Sequence, residues 1–131
     1  AFVVLDEPSV GLDPAQRVDL RAVVGALGAR LTVVLSTHLA EDVVALATSV
    51  VVLVDGRVRW RGTPEALAAT AMGRVWHATA PSAGAIHHWR LPDGQVRCVG
   101  VPPPGVALVA PTLEDGYLMV GRTVALSNDR G

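Results

Sequence analysis

Two adjacent carboxylates, Asp6 and Glu7, follow a short apolar run at the start of the chain. The run is rich in valine and too short for a membrane span, which predicts a strand buried on both faces in a parallel sheet. Ligands of such sheets bind just beyond the carboxyl ends of the strands. The acid pair therefore stands at the edge where α/β proteins do their chemistry, although strand ends that simply meet solvent can carry the same residues.

A third ionisable residue, His38, follows a second apolar run of the same kind at 31–35. The segment between the runs starts as a helix, with Asp13 as its cap and Pro14 at the first helical position. A strand, a crossover helix and a strand form a βαβ unit with parallel strands. Both strand ends then face one edge, and His38 is expected near Glu7. The alternative is a histidine that only caps the next helix.

The crossover helix is expected to have one buried face, because its apolar residues recur at helical spacing. That face consists of Leu20, Val23, Val24 and Leu27. Arg17 and Arg21 fall elsewhere and are expected in solvent. A second helix, at about 39–47, carries Glu41 and Asp42 in its first turn, where acidic side chains stabilise the helix dipole.

Three short motifs in this order resemble those of the ATP-binding subunits of ABC transporters. Residues 5–8 (Leu-Asp-Glu-Pro) resemble the Walker B segment, residues 9–13 (Ser-Val-Gly-Leu-Asp) resemble the D-loop, and His38 resembles the switch histidine. A hairpin signal at 55–56 (Asp-Gly) and a helix start at 62–65 (Gly-Thr-Pro-Glu) extend the resemblance further along the chain. The likeness implies part of a P-loop NTPase fold of the ABC ATPase type.

The resemblance implies a role for each polar residue of these motifs. Asp6 would hold Mg²⁺ through a water molecule, since magnesium prefers oxygen ligands and keeps several waters. Glu7 would act as the general base on the attacking water. His38 would contact the γ-phosphate of ATP and hold that water. Ser9 would lie close to the nucleotide of a partner subunit, and Asp13 would sit at the dimer interface besides capping its own helix.

The motifs of the first half of such a domain are absent from the sequence. There is no Gly-rich loop with Lys-Ser/Thr and no Leu-Ser-Gly-Gly signature, and all 11 basic residues are arginine. The resemblance thus implies the C-terminal part of a bacterial, drug-export-like subunit that uses ATP and Mg²⁺. A second ATP-binding subunit and a membrane permease would complete it at the cytoplasmic face of the cell membrane. The isolated chain is expected not to hydrolyse ATP.

Two other functions are compatible with the same motifs. The chain could come from a non-transport ABC ATPase that acts in DNA repair or translation, but its drug-export-like tail argues against this. It could also be a non-catalytic remnant or a regulatory module whose tail binds a partner. The presence of Asp6, Glu7 and His38 together argues against decay of the catalytic residues.

The composition sets limits on the partners of the protein. A net charge of −1 over 131 residues gives no electrostatic reason to expect nucleic acid or an anionic membrane surface. No apolar run approaches the ~20 residues of a transmembrane helix, so direct insertion into the membrane is not expected. The single cysteine, Cys98, excludes an internal disulfide. His77, His87 and His88 lack a spacing that suits a metal.

The pattern of the sequence changes near residue 73. We predict the C-terminal half of an ABC nucleotide-binding domain at 1–72, a small α+β accessory domain at 73–126 and a frayed tail at 127–131. The fold class is therefore α/β, a partial P-loop NTPase core with parallel strands and crossover helices, followed by an α+β tail. Within the tail, strands are predicted at 75–79, 87–91, 95–99 and 106–109.

A last helix is predicted to open at 111–115 (Pro-Thr-Leu-Glu-Asp), with Thr112 as its cap. Leu113, Tyr117 and Val120 fall on one face of this helix. A similar helix often closes the small domain of drug-export-type ABC subunits, and this motif is the basis for the exporter assignment.

Overall fold

The computed structural model describes residues 1–130, with side chains described for residues 1–121. The chain folds as two compact units, Ala1–Thr48 and the part from Ser49 onward. This division lies before the boundary predicted at 72–73, because the hairpin and the helix that follow Ser49 belong to the second unit. The frayed tail predicted at 127–131 lies outside the residues whose side chains are described, and the described backbone is helical up to Arg130.

The first unit is a strand–helix–strand–helix segment built around one parallel pair. It consists of β1 (Phe2–Asp6), α1 (Pro14–Gly28), β2 (Thr32–Ser36) and α2 (Ala40–Leu46). Strands β1 and β2 pair in parallel, with Phe2 opposite Thr32 and Asp6 opposite Ser36. The parallel arrangement predicted from the order of the segments is therefore confirmed for this pair.

The β1–β2 pair is covered on one face only within its unit. Phe2 and Val4 are exposed, whereas Val3 and Leu5 are half-buried. Because successive side chains of a strand point to opposite faces, this alternation means that the described part of the unit packs against a single face. The prediction of a strand buried on both faces is wrong for this structure.

Helix α1 begins as predicted, and three of the four residues predicted on its buried face point inward. Asp13 accepts a hydrogen bond from the Gln16 amide, and the Gln16 side chain accepts one from the Asp13 amide, so the capping box closes. Val23 is 56% exposed, although it was predicted to be buried. The residues that point inward include two arginines: Arg17, Leu20, Arg21, Val24 and Leu27.

The described part of the second unit contains five strands and two helices. They are β3 (Val50–Val54), β4 (Arg57–Gly62), α3 (Pro64–Ala69), β5 (Val75–Ala78), β6 (Ala85–Arg90), β7 (Val96–Gly100) and α4 (Leu113–Arg130). Strands β3 and β4 form an antiparallel hairpin, while β5, β7 and β6 form an antiparallel sheet with β7 in the centre. Asp55 and Gly56 both have positive φ, at 51° and 74°, as a tight primed turn requires.

The core of the second unit lies on the two faces of the β5–β7–β6 sheet. Trp76 and Cys98 are fully buried on one face, and Val75 and Val99 on the other. The strand predicted at 106–109 is absent from the described residues, where Leu108 makes only an isolated bridge to Trp76. Prolines precede and follow this stretch, and a proline cannot donate to a ladder, so the contact remains one residue long.

Helix α4 packs against α3 at a point where a side chain would not fit. A Cβ atom on Gly116 would lie 1.9 Å from the carbonyl oxygen of Leu67. The Thr70 hydroxyl also donates to the Gly116 carbonyl at 3.3 Å. Leu113 and Val120, on one face of α4, are buried, whereas Tyr117 is 49% exposed.

Candidate functional site

The candidate site lies where β1 and β2 end side by side. Asp6 stands opposite Ser36 in the parallel register, and the Ser36 hydroxyl donates to the Asp6 carboxylate at 2.5 Å. The same hydroxyl oxygen accepts a hydrogen bond from the Glu7 amide at 2.9 Å. Ser36 therefore bridges the two acids, and the sequence analysis did not single it out. Its position two residues before His38 is the signal that could have found it.

Glu7 leaves the strand in an unusual backbone conformation. Its φ is 47°, in the left-handed region that residues with a side chain seldom adopt. Its amide donates to both the backbone carbonyl and the hydroxyl of Ser36. Strained conformations of this kind persist where the surrounding structure fixes them, and they concentrate at functional sites. The turn redirects the Glu7 side chain away from the direction that a continuing strand would give it.

The structure brings the imidazole of His38 against the Glu7 carboxylate. Nδ1 of His38 lies 2.9 Å from Oε1 of Glu7, across 31 positions of sequence. An ionised carboxylate only accepts hydrogen bonds, so Nδ1 carries the proton and Nε2 is the ring atom that remains for another ligand. His38 is largely exposed and Glu7 is partly exposed, so a ligand at this edge could reach both side chains.

The loop between Glu7 and α1 places the other two predicted site residues. Asp13 is exposed and caps α1. Ser9 is buried, with 8% of its surface exposed, and its hydroxyl donates to the carboxylate of Asp42 at 2.5 Å. The structure thus places the Ser9 hydroxyl inside the first unit, whereas the family resemblance implies a position close to a nucleotide.

Asp42 is the centre of a buried charged cluster that the sequence analysis missed. Its carboxylate is 1% exposed and accepts hydrogen bonds from Arg21 at 2.9 Å and from Arg17 at 3.4 Å. The arginines were predicted to lie in solvent, and this is wrong, because both are partly buried against Asp42. Asp42 does lie in the first turn of α2, as predicted. The spacing of Arg17 and Arg21, one helical turn apart, is the signal that could have indicated a shared partner.

The surroundings of Asp42 keep its carboxyl group ionised. Burial by itself would raise the pKa of Asp42, because a charge loses solvation in the interior. Hydrogen bonds from Ser9, Arg21 and Arg17 outweigh that effect, and the pKa of Asp42 lies below its usual value. The cluster is therefore a paired, charged feature at neutral pH.

The donor set at this edge suits a hard cation bound together with a phosphate ligand. Among the described residues there is no cluster of three or more His, Cys, Asp or Glu side chains that could hold a metal ion. Magnesium, however, is commonly held by one or two carboxylates together with water and substrate phosphates. Asp6 offers an exposed carboxylate with one oxygen fixed by Ser36 and a second oxygen that can coordinate, so the residues present fit such an ion.

No protein-family model matches the chain. Over about half of its length, the chain is homologous to ATP-binding subunits of ABC transporters. Energy-coupling factor transporter ATP-binding protein EcfA2 of Streptococcus thermophilus is 45% identical over 65 residues, which cover 49% of this chain and 23% of that protein. Thiamine import ATP-binding protein ThiQ of Shigella flexneri is 37% identical over 68 residues, 50% of this chain and 29% of that protein.

A eukaryotic relative shows the same partial coverage. ABC transporter A family member 11 of Dictyostelium discoideum is 35% identical over 65 residues, which cover 50% of this chain and 8% of that protein. The chain therefore aligns with less than a third of the length of each of these relatives. Within the described residues, no helix is both long enough and apolar enough to cross a membrane.

Proposed function

We propose that this chain is part of the ATP-hydrolysing subunit of an ABC transporter and carries the residues that act on the attacking water. The observation that supports this most is the contact between His38 and Glu7 at the end of the parallel pair. The similarity of half the chain to ABC ATP-binding subunits supports the same class. The fold proposed for the complete subunit is that of a P-loop NTPase.

In the proposed reaction, Glu7 takes a proton from the water that attacks the γ-phosphate of ATP. One oxygen of its carboxylate is held by His38, and the other is available to accept that proton. His38 donates through Nδ1 to Glu7, so its Nε2 faces the phosphate or the water. Two protein groups thereby orient one water, which is the main task of a phosphoryl-transfer site.

Asp6 is the proposed holder of Mg²⁺, with Ser36 fixing one of its carboxylate oxygens. A magnesium ion bound there would neutralise charge on the phosphates of ATP. Asp13 caps α1, and its exposed side chain is the part of the loop proposed to meet a second ATP-binding subunit. For Ser9, a direct contact with nucleotide is the less favoured role, since its hydroxyl is buried against Asp42.

A further part of the proposal concerns the partner subunits and the direction of transport. A second ATP-binding subunit and a membrane permease are the proposed partners, at the cytoplasmic face of the membrane. Helix α4, which begins within the 111–115 motif, is the feature that favours an exporter, whereas one of the similar proteins, ThiQ, is named for import. ATP-dependent uptake into inside-out vesicles that contain subunit and permease would support export, and uptake into right-side-out vesicles would contradict it.

The central test is steady-state ATP hydrolysis by the full-length subunit that carries this chain, with and without Mg²⁺. Glu7→Gln should lower kcat by about 10²–10⁴-fold, the usual range for loss of a general base, while nucleotide binding is retained. Glu65→Gln is the matched control, because Glu65 is an exposed acid on α3 in the other unit. A wild-type subunit without Mg²⁺-dependent hydrolysis, or a fully active Glu7→Gln variant, would overturn the proposal.

A further inference from the structure

Asp42 joins the two chain segments that present the candidate catalytic pair. Ser9 lies two residues after Glu7, and Asp42 lies four residues after His38, in the first turn of α2. The amide of Asp42 donates to the Leu39 carbonyl at 3.1 Å, so the carboxylate is tied to the turn that follows His38. The buried hydrogen bond from Ser9 to Asp42 therefore links the segment after Glu7 to the segment after His38.

Each oxygen of the Asp42 carboxylate has its own partners. Oδ2 accepts the Ser9 hydroxyl at 2.5 Å. Oδ1 accepts hydrogen bonds from Nη2 of Arg21 at 2.9 Å and from Nη2 of Arg17 at 3.4 Å. These bonds fix the carboxylate against α1. Three elements thus converge on one buried charge: the loop after β1, helix α1 and helix α2. Because hydrogen bonds to a buried charge are short and directional, the carboxylate defines the distance between these elements.

The neighbouring acid, Glu41, has a different position in the same cluster. Its side chain is 64% exposed and reaches Arg17 at 3.1 Å and Arg21 at 3.9 Å from the solvent side. Among the described contacts, none connects Glu41 with the loop after β1. Two adjacent acids therefore contact the same arginines, but only Asp42 reaches Ser9.

We propose that Asp42 is a positioning residue of the hydrolytic site, which fixes the separation of Glu7 and His38 through Ser9 and the first turn of α2. The inference rests on the proposed ATP hydrolysis. It gives Ser9 a role inside its own subunit, in which the hydroxyl orients the loop after Glu7. A displacement of about 1 Å in a catalytic group can lower a rate about 10²-fold, so a support of this kind acts on kcat.

The test is a double-mutant cycle on the full-length subunit, with kcat and KM for ATP measured for each variant. Asp42→Asn should lower kcat by about 10-fold or more and leave KM for ATP within about 2-fold, because the catalytic pair shifts while the phosphate contacts stay. In a His38→Ala background, where the pair no longer exists, Asp42→Asn should lower kcat by less than about 2-fold further. Glu41→Gln is the matched control and should leave both constants unchanged.

A second, milder variant covers the case in which Asp42→Asn fails to fold. Ser9→Ala removes only the hydroxyl and leaves the ion pairs of Asp42 with Arg17 and Arg21 in place. It should lower kcat at constant KM for ATP, and its effect should be absent in the His38→Ala background. A raised KM with unchanged kcat would instead assign Ser9 to the nucleotide and overturn the inference.

The outcomes separate the inference from the function on which it rests. If the reductions in kcat caused by Asp42→Asn and His38→Ala multiply in the double variant, Asp42 supports the fold in general. The inference would then fail, while the proposed ATP hydrolysis would stand. A wild-type subunit without Mg²⁺-dependent hydrolysis would overturn the proposed function and the inference with it. If the reductions in kcat do not multiply, and Glu41→Gln leaves kcat and KM unchanged, the positioning role is established.

Discussion

The imidazole of His38 lies 2.9 Å from the carboxylate of Glu7, although 31 positions separate the two residues in sequence. The parallel register explains the contact, because Asp6 and Ser36 end their strands side by side and the next residues leave from the same edge. The left-handed turn at Glu7 then directs its side chain toward His38. Two local features, a strand pairing and one strained residue, thus produce a non-local pair.

Replacement of His38 tests whether this pair acts on catalysis. In the full-length subunit, His38→Ala should lower kcat for ATP hydrolysis by roughly 10²-fold, since it removes the group that orients Glu7 and the attacking water. Binding of ATP, followed by equilibrium titration, should change little. His88→Ala, an exposed histidine on β6, is the control. Unchanged turnover in His38→Ala would leave the contact without a catalytic role.

Ser36 offers a conservative pair of variants for the metal site. Ser36→Ala removes the hydroxyl that donates to Asp6 and accepts from the Glu7 amide, whereas Ser36→Thr keeps a hydroxyl on Cβ. We expect the Mg²⁺ concentration at half-maximal activity to rise about 5-fold in Ser36→Ala, in line with the loss of ~1 kcal/mol for an exposed hydrogen bond. Ser36→Thr should stay near wild type, and equal effects of the two variants would contradict a role for the hydroxyl.

The parts of the site that could be predicted from the sequence depend on local signals. Alternation of apolar runs with one capped helix was enough to place the ends of β1 and β2 together, because parallel pairing follows from the order strand, helix, strand. The capping box at Asp13 and the turn at Asp55 depend on residues a few positions apart. The closeness of Glu7 and His38 in space was predicted from these elements.

The buried cluster around Asp42 could not be predicted in the same way. A helix pattern distinguishes apolar from polar positions, and it assigned Arg17 and Arg21 to solvent because charged residues usually lie there. Their actual position depends on a carboxylate from another helix, which compensates for their partial burial. The same limit explains Val23, which was predicted to be buried and is exposed. Arg17 and Arg21 occupy part of the inner face of α1 instead.

The contact between α3 and α4 predicts opposite effects for two glycines of one helix. Gly116→Ala places a Cβ 1.9 Å from the Leu67 carbonyl oxygen, and the resulting displacement should destabilise the second unit by about 1–3 kcal/mol. Gly121→Ala meets no atom within 4 Å and should stabilise the helix by about 0.5–1 kcal/mol. Tryptophan fluorescence during urea unfolding reports on this unit, since Trp60, Trp76 and Trp89 all lie in it. Similar stabilities for the two variants would contradict the close approach of the helices.

Asp115 makes the stability of the second unit depend on pH. Its carboxylate is fully buried and forms an ion pair with Arg97 at 2.5 Å, and it accepts the amide and the hydroxyl of Thr112 at 2.8 and 3.0 Å. Burial would raise the pKa of Asp115, but the hydrogen bonds from Arg97 and Thr112 outweigh it and hold the pKa below its usual value. The folded state therefore favours the ionised carboxylate more than the unfolded state does.

The sign of the pH dependence follows from this lowered pKa. The contribution of Asp115 to the free energy of unfolding is fully present above the unfolded pKa of about 3.9, and it is lost as the pH falls from there through the folded value. Asp115→Asn cannot ionise, so it should lose about 3 kcal/mol at pH 7, as expected when one partner of a buried pair is removed, and should show a weaker decline in acid. Urea unfolding followed by tryptophan fluorescence between pH 7 and pH 3 measures both effects.

Glu114→Gln, an exposed neighbour in the same turn, should unfold like the wild type within about 0.5 kcal/mol. An Asp115→Asn variant with the same acid-induced decline as the wild type would show that other groups cause the pH dependence.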